Sequence, residues 1–200
     1  MNVNFREEFQ KEPYGPELKW YNEPQDFSVA GGQLVVRPDT ETDFWQKTYY
    51  GFTPDNGHLL HLELSGDFEL ETHVHFQFAN EYDQAGLMIR TDPEHWLKAS
   101  VEYQLEGPSA VGVVMTDIQS NWSLAGFEGA HVYLRVRRLG DVFGVYRSLD
   151  GESWWLMRMG PLPMNDPVQA GIYACSPVAA GLEARFDYVS VSPPTSREFH

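Results

Sequence analysis

"TDPEHWLKASVEYQ", residues 91–104, sorts into two rows of side chains. Its odd positions, Leu97, Ala99, Val101 and Tyr103, are apolar or aromatic, whereas Trp96, Lys98, Ser100 and Glu102 occupy the even ones. Alternation with a period of two marks a strand with one buried face, because successive side chains point to opposite sides of a sheet. The polar row is unusual in its content. An indole on an outer face calls for a cover or a ligand, and here it shares the row with a lysine and a glutamate.

The same alternation recurs along most of the chain, punctuated by Gly, Pro, Asp and Asn, and helical periodicity is nearly absent. It predicts strands over 33–37, 59–65, 67–78, 85–90, 96–104, 109–116, 131–138, 141–147, 154–159, 168–175 and 181–191. Turns fall at AGGQ (30–33), PDNG (54–57), EGPS (106–109) and LG (139–140), as expected of an all-β sandwich or barrel. Residues 1–30, rich in Pro and Glu, read as an edge strand plus loops, and the tail SPPTSREFH as frayed. The expected organisation is one domain over 1–200, with 1–19 and 192–200 peripheral.

Parity then assigns faces. Leu87, Ile89, Val101, Val113, Leu134, Val136, Phe76 and Phe186 are expected in the core. The link 91–95 is short enough for a hairpin, which sets Arg90 beside Trp96 and Lys98. A second hairpin through 105–108 sets Glu102 and Ser100 beside Ala110 and Gly112, whose small side chains leave a depression. His73 or His75 and Arg135 are expected to join Arg90, Lys98 and Glu102 on one curved sheet. On an exposed strand, Lys98→Ala and Glu102→Ala are expected to cost no more than about 1 kcal/mol.

Composition narrows the partners. With 14 basic and 29 acidic side chains the formal charge is −15, so nucleic acid and anionic membranes are repelled rather than bound. The aromatic share of 14% is high; it reads first as large core residues, and any beyond the needs of a sandwich core suit a surface for sugars or apolar ligands. Cys175 is the single cysteine, so no intramolecular disulfide forms, and its apolar setting predicts a buried thiol. The N-terminal residues MNVNFREEFQKEPYG show no secretory pattern, and a cytoplasmic location is expected. No cofactor is expected, and nothing in the composition specifies an oligomeric state.

Several strings together resemble a known family: TDFWQKTYYGF (42–52), DNGH (55–58), AGLMIR with WLKASVE (85–102), RSLDGESW (147–154), and GIYACSP followed by FDYVSV (171–191). They are similar to an uncharacterised domain-of-unknown-function family, DUF1349, of concanavalin A-like fold, which includes a fungal protein named for regulation of enolase. The chain more distantly resembles the accessory β-sandwich domain of some β-xylosidases. The resemblance implies a two-sheet antiparallel jelly roll of the lectin and glucanase type, with a concave outer face as a common ligand surface. It implies Asp43, Trp45, Arg90, Trp96, Lys98 and Glu102 as lining residues, with Trp122 on a rim loop and Asn121 where the family loop often carries an acid. His75 joins this set from strand parity.

Other chemistries leave partial traces. Glu69, Glu71 and His73 alternate like the acids of sandwich-fold glucanases, but a histidine occupies the third acidic position. His73 and His75 share a strand side and form a two-ligand pair, to which His58, His61 or Glu102 could add a donor; no metal site is assigned. RSLDGESWW resembles the Asp-box turn, a structural motif. The functional expectation is a non-catalytic binding domain for a carbohydrate or small polar metabolite. The alternatives are a glycoside-acting enzyme using Glu102 with a second carboxylate, and a regulatory interaction domain.

Overall fold

The computed structural model of the protein describes residues 4–199 and, among them, fifteen strands and no helix. In chain order these are β1 (Phe5–Glu7), β2 (Lys19–Tyr21), β3 (Asp26–Ala30), β4 (Gln33–Arg37), β5 (His58–Leu64), β6 (Phe68–Gln77), β7 (Gln84–Asp92) and β8 (His95–Glu102). There follow β9 (Ala110–Asp117), β10 (Gln119–Gly126), β11 (His131–Leu139), β12 (Val142–Ser148), β13 (Trp155–Pro161), β14 (Val168–Cys175) and β15 (Glu183–Ser192). They form two antiparallel sheets packed as a jelly-roll sandwich. The seven-stranded sheet runs β10-β9-β8-β7-β14-β5-β2, and the eight-stranded one β13-β12-β11-β6-β15-β4-β3 with β1 also on β15.

The faces follow from parity. All eight residues expected in the core lie in one buried cluster between the sheets, where alternating inward side chains of both sheets interdigitate. The hairpin registers also match: Arg90 pairs with Trp96, Met88 with Lys98, Ser100 with Gly112 and Glu102 with Ala110.

Three expectations are corrected. Residues 4–30 hold three strands rather than one, and Phe9 and Leu18 of the mostly exposed 4–19 segment enter the core. The tail is held down: Thr195 donates to Glu69, Arg137 donates to the Glu198 carbonyl, and the Tyr146 hydroxyl donates to the Phe199 carbonyl. SNWS (120–123) is not a loop but part of β10, an edge strand whose residues are almost all exposed. An edge strand exposed on both faces shows no alternation to read.

The 38–57 connection passes from β4 in one sheet to β5 in the other. It does not skirt the sandwich but lies flat on the outer face of the seven-stranded sheet. There Phe44 and Trp45 pack with Leu59, Met88, Trp96, Val114, Tyr173 and Cys175 in a second buried cluster. Gly57 permits this closure, because a side chain there would collide with the Phe44 ring and the Cys175 sulfur.

Val136 is fully buried, paired with Leu70 on one side and Val145 on the other. Val136→Asp places an uncompensated charge there and is expected to cost roughly 4 kcal/mol or more. Urea denaturation measures it, and a wild-type midpoint would show the two faces to be reversed.

Candidate functional site

The row that opens the sequence divides along its length. Trp96 lies under the 38–57 loop, fully buried, tilted against Phe44 with ring centroids 6.4 Å apart and its indole N–H donated to the Pro93 carbonyl. At the other end Glu102 faces a pocket. Lys98 lies between them, and its Nζ reaches the loop, donating to Asp43 Oδ1 at 3.0 Å and to the Phe44 carbonyl at 2.7 Å. The row is neither a solvated wall nor an open floor; the loop covers half of it.

Arg90, on the neighbouring strand, is a second strut for the same loop. Its Nη2 lies 3.1 Å from both oxygens of Asp55, and its guanidinium stacks 3.9 Å over the Tyr21 ring. Two cations on adjacent strands therefore hold the outgoing and returning limbs, at Asp43 and Asp55. The tip is bonded to β10, where Ser120 N donates to the Gln46 carbonyl, Ser120 Oγ accepts from Gln46 N, and Thr48 Oγ1 donates to the Ser120 carbonyl.

What remains open is a pocket of about 210 Å³ lined by Asp43, Trp45, Gln84, Lys98, Glu102 and Val114, with Tyr50, Phe52, Tyr82, Trp122 and Pro177 completing it. Polar atoms concentrate on its floor. Gln84 is fixed by the Tyr173 hydroxyl at 3.1 Å and by its own bond to the Tyr82 carbonyl at 3.2 Å. Gln104 donates to one Glu102 oxygen at 2.6 Å. The mouth is aromatic: Tyr50 stacks on Phe52 with centroids 5.2 Å apart, and Trp45 meets Trp122 edge-on at 6.1 Å. Tyr50, Phe52, Tyr82 and Trp122 are all exposed.

Burial sets the electrostatics. It lifts the Glu102 carboxyl to about 7, against the pull of Lys98 and with a further push from Asp43. Removing a carboxylate from water disfavours its charged form, so near neutral pH Glu102 serves as donor as well as acceptor. Burial also pushes up the Tyr173 hydroxyl and the Cys175 thiol. Cys175 is a packing residue, as its setting predicts.

Of the eight expected site residues, Asp43, Trp45, Lys98, Glu102 and Trp122 line this pocket. Arg90 and Trp96 do not: both are buried beneath the loop. His75 lies on β6, in the other sheet, so His73, His75 and Arg135 do not converge with Lys98 and Glu102. Glu69 and Glu71 are not a catalytic pair on a groove but partners of Arg137 and Arg135 at 2.6 Å each. The Asp-box turn is structural: Asp150 Oδ1 accepts from the Glu152 and Ser153 amides, which hold its carboxyl far below the usual range. Sequence reading missed Tyr50, Phe52, Tyr82 and Gln84. The first two had a signal in the aromatic run TYYGF.

A two-sheet jelly roll with a mainly apolar pocket, polar at its floor and aromatic at its mouth, is the class of protein that fold and site define. The family model described as "Protein of unknown function (DUF1349)" matches residues 20–194, and the chain belongs to that family. It is 36% identical over 183 residues to "Regulation of enolase protein 1" of Saccharomyces cerevisiae, covering 90% of this chain and 92% of the relative. A crystal structure of a functionally unknown S. cerevisiae protein superposes with a TM-score of 0.85 at 35% identity, covering 90% of this chain and 98% of that one. The GH43 protein BlXynB (K247S) from Bacillus licheniformis shares the fold at a TM-score of 0.79 and 15% identity. There, 94% of this chain matches 39% of the other.

Two expectations follow. Lys98 is almost completely buried, so Lys98→Ala strands Asp43 and the Phe44 carbonyl and costs about 3 kcal/mol or more, not the small loss of an exposed site. Chemical denaturation decides between them. For Glu102, the folded state holds a proton between pH 4.5 and about 7 that the unfolded chain releases. Stability therefore falls as pH rises through that window, by about 3 kcal/mol in all. Glu102→Gln removes this loss, so it matches wild type near pH 4.5 and exceeds it by up to that amount at pH 8; a pH-independent difference would refute the assignment.

Proposed function

We propose that the protein is a non-catalytic binding domain whose pocket takes a carbohydrate or a small polar metabolite. The observation that carries this reading is a floor of buried polar and ionisable groups, Lys98, Glu102 and Gln84, beneath an exposed aromatic mouth. Buried polar groups in a mainly apolar pocket fix a ligand's orientation, and exposed rings offer a flat apolar surface to a sugar face. Glu102 and Gln84 supply both donors and acceptors, which suits vicinal hydroxyls. The recurrence of the fold within GH43 chains supports the carbohydrate arm only as a shared scaffold. The name of the yeast relative supports a regulatory setting for such binding.

One observation favours a second reading, a glycoside-acting enzyme. Asp43 and Glu102 line the same pocket, and the raised Glu102 carboxyl suits a general acid. The two readings separate by turnover: release of nitrophenol from aryl glycosides, abolished by Glu102→Gln, would replace the binding reading.

A thermal-shift panel of neutral sugars, sugar acids and hydroxy acids tests the proposal. A true ligand at a hundred times its dissociation constant adds about 2.7 kcal/mol of stability. That gain is expected to vanish in Trp122→Ala and to fall sharply in Glu102→Gln. A ligand whose shift survives both variants binds elsewhere and overturns the pocket assignment.

A further inference from the structure

We propose that His73, His75 and Asp187, on the outer face of the eight-stranded sheet, form a site for a divalent first-row transition-metal ion such as zinc. The site is independent of the pocket, which lies on the other sheet.

The placement begins with β6, where His73 and His75 point to the same outer side. Opposite them, β15 breaks its register: Phe186 pairs with Val74 and Tyr188 with His73, leaving Asp187 as an extra residue in a bulge. A bulge re-aims a side chain without ending the strand. Here it brings a carboxylate against both imidazoles, and the donor atoms of all three residues lie within 4.8 Å of one another.

The distances suit an ion. His75 Nε2 is 3.3 Å from the Asp187 carboxylate, about the separation of two donors each about 2 Å from a tetrahedral zinc. His73 Nδ1 lies 2.5 Å from Asp187 Oδ2, a direct hydrogen bond that the ion replaces on binding. The supports are those of a metal ligand. The Nε2 of His73 meets His131 Nδ1 at 2.9 Å, and its ring lies flat on Tyr133, with centroids 3.8 Å apart and planes 3° apart. Gln33 holds the other Asp187 oxygen at 2.7 Å. A bond to the second ring nitrogen fixes which nitrogen faces the ion.

Charge makes the case specific. The nearby acids Glu69, Glu71 and Glu183 each have an arginine within 2.6 Å. Asp187 has no arginine or lysine partner among the described residues and is bonded to imidazoles and an amide, while Arg185, opposite His75, is paired with Glu183. Two imidazoles and one carboxylate match zinc, cobalt or nickel, whereas calcium and magnesium take oxygen donors. His73 is nearly buried, while the side chains of His75 and Asp187 are about one-third exposed, at 35% and 33%. Ions can therefore enter, and three protein ligands leave a coordination position to water.

The test uses the full, untagged chain stripped with a chelator, titrated with Zn²⁺ by calorimetry and with Co²⁺ by visible absorption. One equivalent is expected to bind, with cobalt d–d bands. His75→Gln and Asp187→Asn are expected to abolish both signals while melting in chelator like wild type. His131→Phe is expected to weaken binding about 10–100-fold. His95, flanked by Asp92 and Asp117 at 2.9 and 3.5 Å, is the competing surface site, and His95→Gln should leave binding unchanged. Absence of binding, binding lost only in His95→Gln, or binding that survives in whichever of the His75 and Asp187 variants folds would overturn the proposal.

Discussion

The buried ammonium of Lys98 donates hydrogen bonds to the 38–57 loop. A charge taken out of water this completely is tolerated only where a counter-charge and hydrogen-bond acceptors surround it, and Asp43 and the Phe44 carbonyl provide both. Much else depends on that contact. It seats Phe44 over Trp96, which converts the outer face of the seven-stranded sheet into a second apolar cluster. It also positions Asp43 as one wall of the pocket and leaves Glu102 in a space too confined to ionise freely. Arg90 repeats the device on the returning limb through Asp55.

The fold was legible because its signal is local. Alternation within each strand names the inward side chains, and short links name the hairpin partners, so Arg90 opposite Trp96 and Glu102 opposite Ala110 could both be read from residues a few positions apart. Whether an outward face is wet could not be read this way. The cover over Trp96 comes from residues about fifty positions earlier, and nothing in WLKASVE announces it. The unusual content of the row was itself the trace of that cover, since Trp96 and Lys98 are side chains suited to an interior contact. His75 was misplaced for a related reason: parity assigns a residue to a face of its own sheet, but not to which of two sheets.

The two outer faces treat charge differently. On the eight-stranded sheet, β6 and β11 carry a ladder in which Glu69 meets Arg137, Glu71 meets Arg135, His73 meets Tyr133 and His75 meets His131. Its ion pairs lie across neighbouring strands, and Glu69 is covered by the C-terminal tail. On the seven-stranded sheet the cations reach upward to a separate layer of chain. The first arrangement stiffens a surface; the second attaches a lid, and the pocket opens where the lid stops short.

Asp187 gives β15 a property of its own. On either side of it Ala184 and Phe186, then Val189 and Val191, point into the core, while Tyr188 points out with its hydroxyl on Glu71. Take Asp187 away and the remaining residues alternate without interruption: Phe186 in, Tyr188 out, Val189 in. In most strands the loss of one residue exchanges the two faces for everything beyond it. Here it would restore a regular ladder without exchanging the faces, so the core needs no residue at this position. What the position adds is a carboxylate on the outer face, bonded to Gln33 on one neighbouring strand and to His73 and His75 on the other.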